Sequence, residues 1–379
     1  MQNKEMFTGL RVLELASVLA GPSVGQFFAE LGAEVIKVEN PATGGDVTRS
    51  WKSAGEKTDD RSAYFCSCNW GKKSVTLDLW MQGDLQRVHQ LVRNSDLVIA
   101  SYKPGDAEKL GVSYSQLKSI NSKLIYGQIT GYGSDDDRVG YDAVIQAESG
   151  SMDLNGDPSG PPTKMPVALI DVLAAHQLKE ALLLALLHRE RTGEGAFVEV
   201  SLIQAAVASL TNQATNWLVA GQLPKRLGSA HPNIAPYGDV FETKDGKRLL
   251  LAVGNDRQFT DLLDALRVAP ESRAPHFATN QQRVQHRAEL TVVLRQYLSQ
   301  LSADDVIADL RARKIPAGLV QNLREALELS EARSVLLDAG GLRAARQLVA
   351  DLSFAESRSS LTPPPHLGEH NDVVFPASN

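Results

Sequence analysis

The opening of the chain constrains its fold more than any other stretch. Leu10 to Ala16 (LRVLELA) reads as a short strand with buried apolar positions. Gly21-Pro22 breaks it, Val24 to Leu31 carries helical spacing with Gly32 as its stop, and Ala33 to Glu39 (AEVIKVE) is a second strand. A strand, turn, helix and strand in this order is the repeat of a parallel α/β sheet. The pattern continues with strand-like Ser74 to Leu79, Asp96 to Ala100 and Leu124 to Ile129, and with helical spacing over Asp84 to Arg93. Right-handed crossovers put such strands in one Rossmann-like sheet with helices on both faces. Aromatic residues make up only 6% of the chain, beside 29 Gly and 17 Pro, which disfavours a β-sandwich.

Asp171 to Arg191 predicts the longest helix. Asp171 suits an N-cap, the last turn is basic, and Gly193 stands where a helix ends. Its most apolar part, Ala181 to Leu187, is flanked closely by charges, whereas a membrane span needs ~20 nearly uncharged residues. It therefore reads as a buried core helix. A strand (Ala196 to Ser201) and a helix (Leu202 to Ala220) follow. Near Gly221 the character changes to a connector with three prolines, Leu223 to Tyr237. Asp239 to Val253 has a hairpin pattern around Asp245-Gly246, and helical segments follow over Asp256 to Arg267, Gln282 to Leu301 and Ala303 to Lys314. At ~150 residues per domain, 379 residues allow two or three domains. The expected division is a large domain over 1–220 and 324–379 and a smaller α+β domain over 221–323.

Several chemistries are disfavoured. No G-x-x-x-x-G-K-[ST], no G-x-G-x-x-G after the first strand, no G-x-S-x-G and no H-E-x-x-H occurs. Cys66 and Cys68 are too few and too close for a disulfide framework and lack zinc-spaced partners, which fits a reducing cytoplasm. His366 and His370 are four apart, but prolines and Gly368 surround them, so no metal site is expected. Met1 to Thr8 is polar, without a secretory core. The net charge of −6 gives no general attraction to nucleic acid or an anionic membrane.

The remaining motifs, taken in order, resemble the class III coenzyme A transferases, the formyl-CoA and carnitine-CoA transferase type. The pieces are Leu10 to Leu15, Ala20-Gly21-Pro22, Leu31 to Glu39, Gly44 to Arg49 and Asn69 to Ser74 (NWGKKS). Gly131-Tyr132-Gly133, Tyr141-Asp142, Gln146-Ala147, Arg226-Leu227-Gly228, His231-Pro232, Pro236-Tyr237-Gly238 and Gly254 to Gln258 follow. Together they cover nearly the whole chain.

The resemblance implies a transfer of CoA from an acyl-CoA donor to a carboxylic acid, through an aspartyl anhydride and an aspartyl-CoA thioester. It implies CoA thioesters as substrates, no permanently bound cofactor, and an interlocked homodimer. The family nucleophile is an Asp ahead of a long apolar helix ending R-x-x-T-G-x-G. Asp171 and Arg189 to Gly195 (RERTGEG) match it. At a helix N-terminus the dipole stabilises such an anion, and a positioned, partly desolvated carboxylate is an effective nucleophile. By the same resemblance Lys37, Lys72 and Lys73 lie near the nucleotide, with Lys72-Lys73 at an exposed place before a strand. Lys109 follows the Pro104-Gly105 turn as a further basic contact, and Tyr102 stacks on adenine. Val18 and Leu19 line the pantetheine path, and Tyr141 and Asp142 sit near the thioester. Ser101 replaces an Asn common in the family. The short Gly254 to Arg257 linker lacks the Gly-rich run of formyl-CoA transferases, which disfavours oxalate as acceptor.

Alternatives remain open. An α-methylacyl-CoA racemase needs a His-Asp pair where this chain has Tyr141-Asp142, and a phenol with a free pKa of about 10 exchanges an α-proton poorly. A non-catalytic CoA-binding protein has no need of Asp171. A dehydrogenase lacks its phosphate fingerprint here.

Overall fold

Successive residues of the first strand point to opposite faces, so Val12 packs on one side of the sheet while Leu13 and Leu15 pack on the other, all buried. A computed structural model of the chain describes residues 5–355 and 360–376, so the start of the polar Met1 to Thr8 stretch lies outside the described residues. The chain divides into two compact units. One comprises Met1–Ser151, Met165–Thr211 and Ser330–Asn379, the other Met152–Lys164 and Asn212–Leu329. The Met152–Lys164 excursion is rich in turn formers (Gly156, Pro158, Gly160, Pro161 and Pro162), a signal that the sequence reading did not use.

The first unit holds β1 (Arg11–Leu15), β2 (Glu34–Glu39), β3 (Lys72–Thr76), β4 (Leu97–Ala100), β5 (Ile125–Thr130) and β6 (Ala196–Ser201). They form one sheet in the order β3-β2-β1-β4-β5-β6, with every pairing parallel. The α/β expectation holds. Cores lie on both faces: Val12, Val35, Ile99 and Ile125 on one, Leu13, Val75, Val98 and Tyr126 on the other. The order reverses between β1 and β4, where the crossovers on either side run to opposite faces and leave a crevice at the strand C-termini.

Several boundaries differ from the sequence reading. The helix after β1 begins at Ala20, so Gly21-Pro22 occupy its first turn. The first N–H groups of a helix have no partner within it, so Pro22 costs nothing there. β3 begins at Lys72. The expected Leu202 to Ala220 helix is broken into Leu202–Ala208 and Thr211–Leu218, with Thr211 at φ 36°. The Leu169–Thr192 helix buries Ile170, Ala174, Leu178 and Leu182, but Leu183, Leu184 and Leu187 are exposed, so it is a half-buried helix and not a core one. Among the described residues no helix is long and apolar enough to cross a membrane.

A hairpin that the sequence reading missed, Leu336–Ala339 paired with Leu342–Ala345, turns at Gly340-Gly341. Leu337 and Leu361 pack on the buried Trp70 and return the C-terminal segment to this unit.

In the second unit β7 (Tyr237–Glu242) and β8 (Arg248–Ala252) form the expected antiparallel hairpin, and β9 (Ala317–Leu319) pairs with β8. Phe241, Leu249, Leu251, Phe259, Leu262, Leu294 and Leu298 make its core. The expected Gln282 to Leu301 helix is two, Asn280–Gln285 and Arg287–Leu298, joined at His286.

Candidate active site

A cleft of about 210 Å³ opens at the crevice between β1 and β4. Its walls are the segments that leave the strand C-termini: Ser17, Val18 and Gly21 after β1, Ser101 to Pro104 after β4, and Thr130 and Gly131 from β5. Arg138 to Asp142 and Asp171 complete it. The Gly131 turn lies against Gly140 so tightly that a Cβ at either would collide with the other's backbone. Glycine at these two positions lets the cleft rim close.

Asp171 is the third residue of the Leu169–Thr192 helix, not its cap. The cap residue is Ala168, which offers no side-chain acceptor. Asp142 supplies it instead: its Oδ1 accepts the N–H of Ile170 at 2.8 Å, while Oδ2 accepts from Gln146 Nε2 at 2.7 Å. The Asp171 carboxylate is thereby left without a hydrogen-bond partner among the described residues, 7% exposed and facing the cleft. Burial, then the nearby Asp142 charge, pushes its pKa up to about 7. The phenol of half-buried Tyr64, packed on Trp51 at 5.2 Å, is pushed up to about 12 by burial and then by the Asp171 charge. The sequence reading did not single out Tyr64. A carboxylate with no donor on it, set in a cleft and poised to ionise near neutral pH, is suited to covalent catalysis.

Lys37 and Lys72 occupy a different role from the one expected. Both are 1% exposed. Lys37 Nζ lies 2.8 Å from Asp46 and 3.0 Å from Glu14, and it donates to the carbonyl of Ala16 at 2.7 Å. Burial pulls its pKa down, but Asp46 and then Glu14 overcome this and hold the ammonium charged. Lys72 Nζ pairs with Glu14 at 2.8 Å and donates to the Pro22 carbonyl at 2.8 Å and to Asn69 Oδ1 at 2.8 Å. Gly25 makes room for this network, since a Cβ there would strike the Glu14 carboxylate. Asp46 Oδ1 accepts the Val18 N–H at 3.3 Å. The two lysines thus grip the backbone of the segment that forms one wall of the cleft. The expected exposed position for Lys72 is corrected: it is the first residue of β3 and its charge is spent on Glu14.

Lys73 is half-exposed and pairs with Glu34 at the N-terminal end of β2, opposite to the cleft. Lys109 pairs with Asp106 at 2.9 Å and does not line the cleft. Leu19 is the residue before the first helix, half-buried, and also lies outside the lining. Val18, Tyr102, Tyr141 and Asp142 do line it. Tyr102 stands between this cleft and a neighbouring one of about 200 Å³, lined by Lys37, Asn40, Asp46 and Ser101. Two cations in the lining were not singled out by the sequence reading. Lys103 is exposed with no carboxylate partner among the described residues. Arg138 stacks 3.7 Å over the Tyr132 ring and pairs with Asp136 at 2.8 Å. Their signal was position alone, directly after β4 and before the Tyr141-Asp142 step.

Cys66 and Cys68 are both free and buried, and burial pushes their thiols up to about 11 and about 12, so neither is a reactive thiolate.

A parallel sheet with a carboxylate-bearing cleft at its switch point defines an α/β enzyme that acts at the strand C-termini. The model of CoA-transferase family III matches residues 7–371, and the chain belongs to that family. The succinate–glutarate CoA-transferase of Agrobacterium fabrum is 40% identical over 329 residues, 85% of this chain and 82% of that protein. The succinyl-CoA:glutarate CoA-transferase of Mus musculus is 33% identical over 375 residues, 97% of this chain and 84% of that protein. Among solved structures, a CAIB/BAIF family protein from Brucella suis superposes with a TM-score of 0.87 at 38% identity, covering 98% of this chain and 99% of that one. The protein is a CoA-transferase that moves CoA between an acyl-CoA and a carboxylic acid.

Proposed function

We propose that Asp171 is the nucleophile and carries first the acyl group and then CoA. The observation that carries this reading is its buried, donor-free carboxylate in the cleft wall. Its ionised oxygen attacks the donor thioester, the C–S bond breaks, and a mixed anhydride and CoA thiolate result. The thiolate attacks the Asp171 carbonyl, giving an aspartyl-CoA thioester and releasing the donor acid as its carboxylate. The acceptor carboxylate then attacks the aspartyl carbonyl and expels the thiolate. That thiolate takes the acceptor acyl group from the new anhydride and restores the Asp171 carboxylate. No proton is consumed across the cycle, so the site needs no general acid, and desolvation of the carboxylate supplies its nucleophilicity.

In this reading the CoA pyrophosphate meets Lys103 and Arg138, Tyr102 lies beside the adenine, and Val18, Tyr141 and Asp142 border the thioester. Lys37 and Lys72 shape the wall without touching phosphate. The names of the relatives favour succinyl-CoA as donor and a short dicarboxylate such as glutarate as acceptor. No histidine lines the cleft among the described residues, and His176 is exposed on the long helix outside it, which weighs against a racemase. The exposed Leu183, Leu184 and Leu187 are suited to burial by a second copy, in keeping with an interlocked homodimer. The buried free thiols fit a cytoplasmic enzyme.

The test is chemical trapping. Enzyme incubated with succinyl-CoA and hydroxylamine should carry a hydroxamate on the peptide containing Asp171, and Asp171→Ala should lose acyl exchange. An unmodified peptide together with an active Asp171→Ala enzyme sinks the reading.

A further inference from the structure

A second side-chain cluster stands in the other unit, on residues the proposed mechanism does not use. His276, His286 and Glu289 bring one ligand atom each to within 4.8 Å of one another. Nε2 of His276 lies 3.0 Å from Oε1 of Glu289, and Nδ1 of His286 lies 3.8 Å from Oε2. A tetrahedral zinc with bonds of about 2.0–2.2 Å keeps its donors about 3.3–3.6 Å apart, and the two histidine–glutamate separations, 3.0 and 3.8 Å, bracket that spacing. Nε2 of His276 is shut off from solvent yet makes no aligned hydrogen bond. This buried ring nitrogen faces Glu289 Oε1 closely but out of line for a hydrogen bond, an arrangement that a shared ion would satisfy.

We infer that His276, His286 and Glu289 form a binding site for one divalent zinc-type ion. Neutral imidazole and carboxylate are the donors that such ions select. The donors are held in place beforehand. His276 sits in the 3-10 turn Pro275–Phe277, whose Phe277 is 2% exposed and packs on the His276 ring at 4.5 Å. His286 is pinned at the junction of two helices, its N–H bonded to the Gln282 carbonyl and its carbonyl to the Leu290 N–H. Glu289 lies in the first turn of the Arg287–Leu298 helix, and it pairs with no lysine or arginine among the described residues. His286 and Glu289 are exposed, so an ion can reach the cluster from solvent.

A rival cluster, Asp59, Asp60 and His366, has similar spacing. Its carboxylates are already engaged, Asp59 by Arg61 and Asp60 by Arg49. An ion there would compete with two guanidinium groups. The sequence reading found neither cluster, because three ligands drawn from a 3-10 turn and a helix junction match no familiar zinc spacing.

The experiment titrates untagged, chelator-stripped protein with zinc chloride against a chromophoric chelator. One zinc per chain is expected, weakened roughly tenfold or more in Glu289→Gln and in His286→Ala, and unchanged in His366→Ala. Both cluster residues are exposed, so circular dichroism should show folded variants. Absence of stoichiometric binding, or binding that survives both cluster substitutions, overturns the inference.

Discussion

Asp142 caps the helix that carries Asp171 and at the same time repels the Asp171 charge. The first effect runs through the Ile170 N–H at 2.8 Å, the second through proximity of two buried carboxylates. One side chain therefore both places the proposed nucleophile and adds to burial in raising the pH at which it ionises.

Asp142→Asn separates these effects, because an amide oxygen still accepts the Ile170 N–H while the charge is gone. With Asp171 ionising near pH 7, wild-type kcat/KM should rise as pH increases through that region. In Asp142→Asn the rising limb should move to lower pH. A pH profile of initial rates checks this, and an unmoved limb would show that Asp142 acts on the helix alone.

A raised pKa also bears on stability. The folded Asp171 holds its proton up to about pH 7, whereas the unfolded carboxyl loses it near 3.8. Between these values the folded state binds more protons, so the Asp171 contribution to stability is full below the lower value and is lost as pH rises through the upper. Asp171→Asn removes that loss. Its unfolding free energy should exceed wild type by up to roughly 4 kcal/mol at pH 8 and approach it near pH 4. Urea titrations at the two pH values measure the gap, and a gap independent of pH contradicts it.

Much of this was legible in the chain. The strand–helix–strand opening gave the parallel sheet, since a period of two and a period near four are local signals. Asp171 was singled out through the long apolar helix at whose head it stands and the RERTGEG end of that helix. Its place in the first turn was not legible, because the true acceptor, Asp142, is 28 residues from the N–H it caps. The burial of Lys37 and Lys72 was hidden for a similar reason. A lysine in sequence reads as solvated, and only the approach of Glu14 and Asp46 in three dimensions makes a buried ammonium tolerable.

That difference sorts the lysines by experiment. Lys37→Met leaves Glu14 and Asp46 short of a counter-charge in the interior and should cost about 3–5 kcal/mol. Lys73→Ala and Lys109→Ala break exposed pairs and should change stability by about 0.5 kcal/mol or less, with KM for acyl-CoA unchanged. Lys103→Ala should leave stability intact and raise that KM about tenfold. Unfolding curves and steady-state kinetics on the four variants decide the matter. A large KM effect in Lys73→Ala would restore it as a ligand contact.

Val18 lies in the left-handed region at φ 73°, a conformation that a β-branched residue adopts at a cost of about 1–3 kcal/mol. Its N–H is held by Asp46 Oδ1, and its carbonyl accepts from the Cys68 thiol at 3.6 Å. The ion network thus holds a strained peptide at the cleft wall. Val18→Gly and Val18→Ala remove similar side-chain volume, but only glycine relieves the backbone. Val18→Gly should be the more stable of the two by about 1 kcal/mol, yet show the lower kcat, because the wall is free to leave the shape the strain enforces. Thermal unfolding and turnover measured side by side test this. Equal stability of the two variants would mean that the φ value carries no cost, and the wall would then be shaped by the Val18 side chain alone.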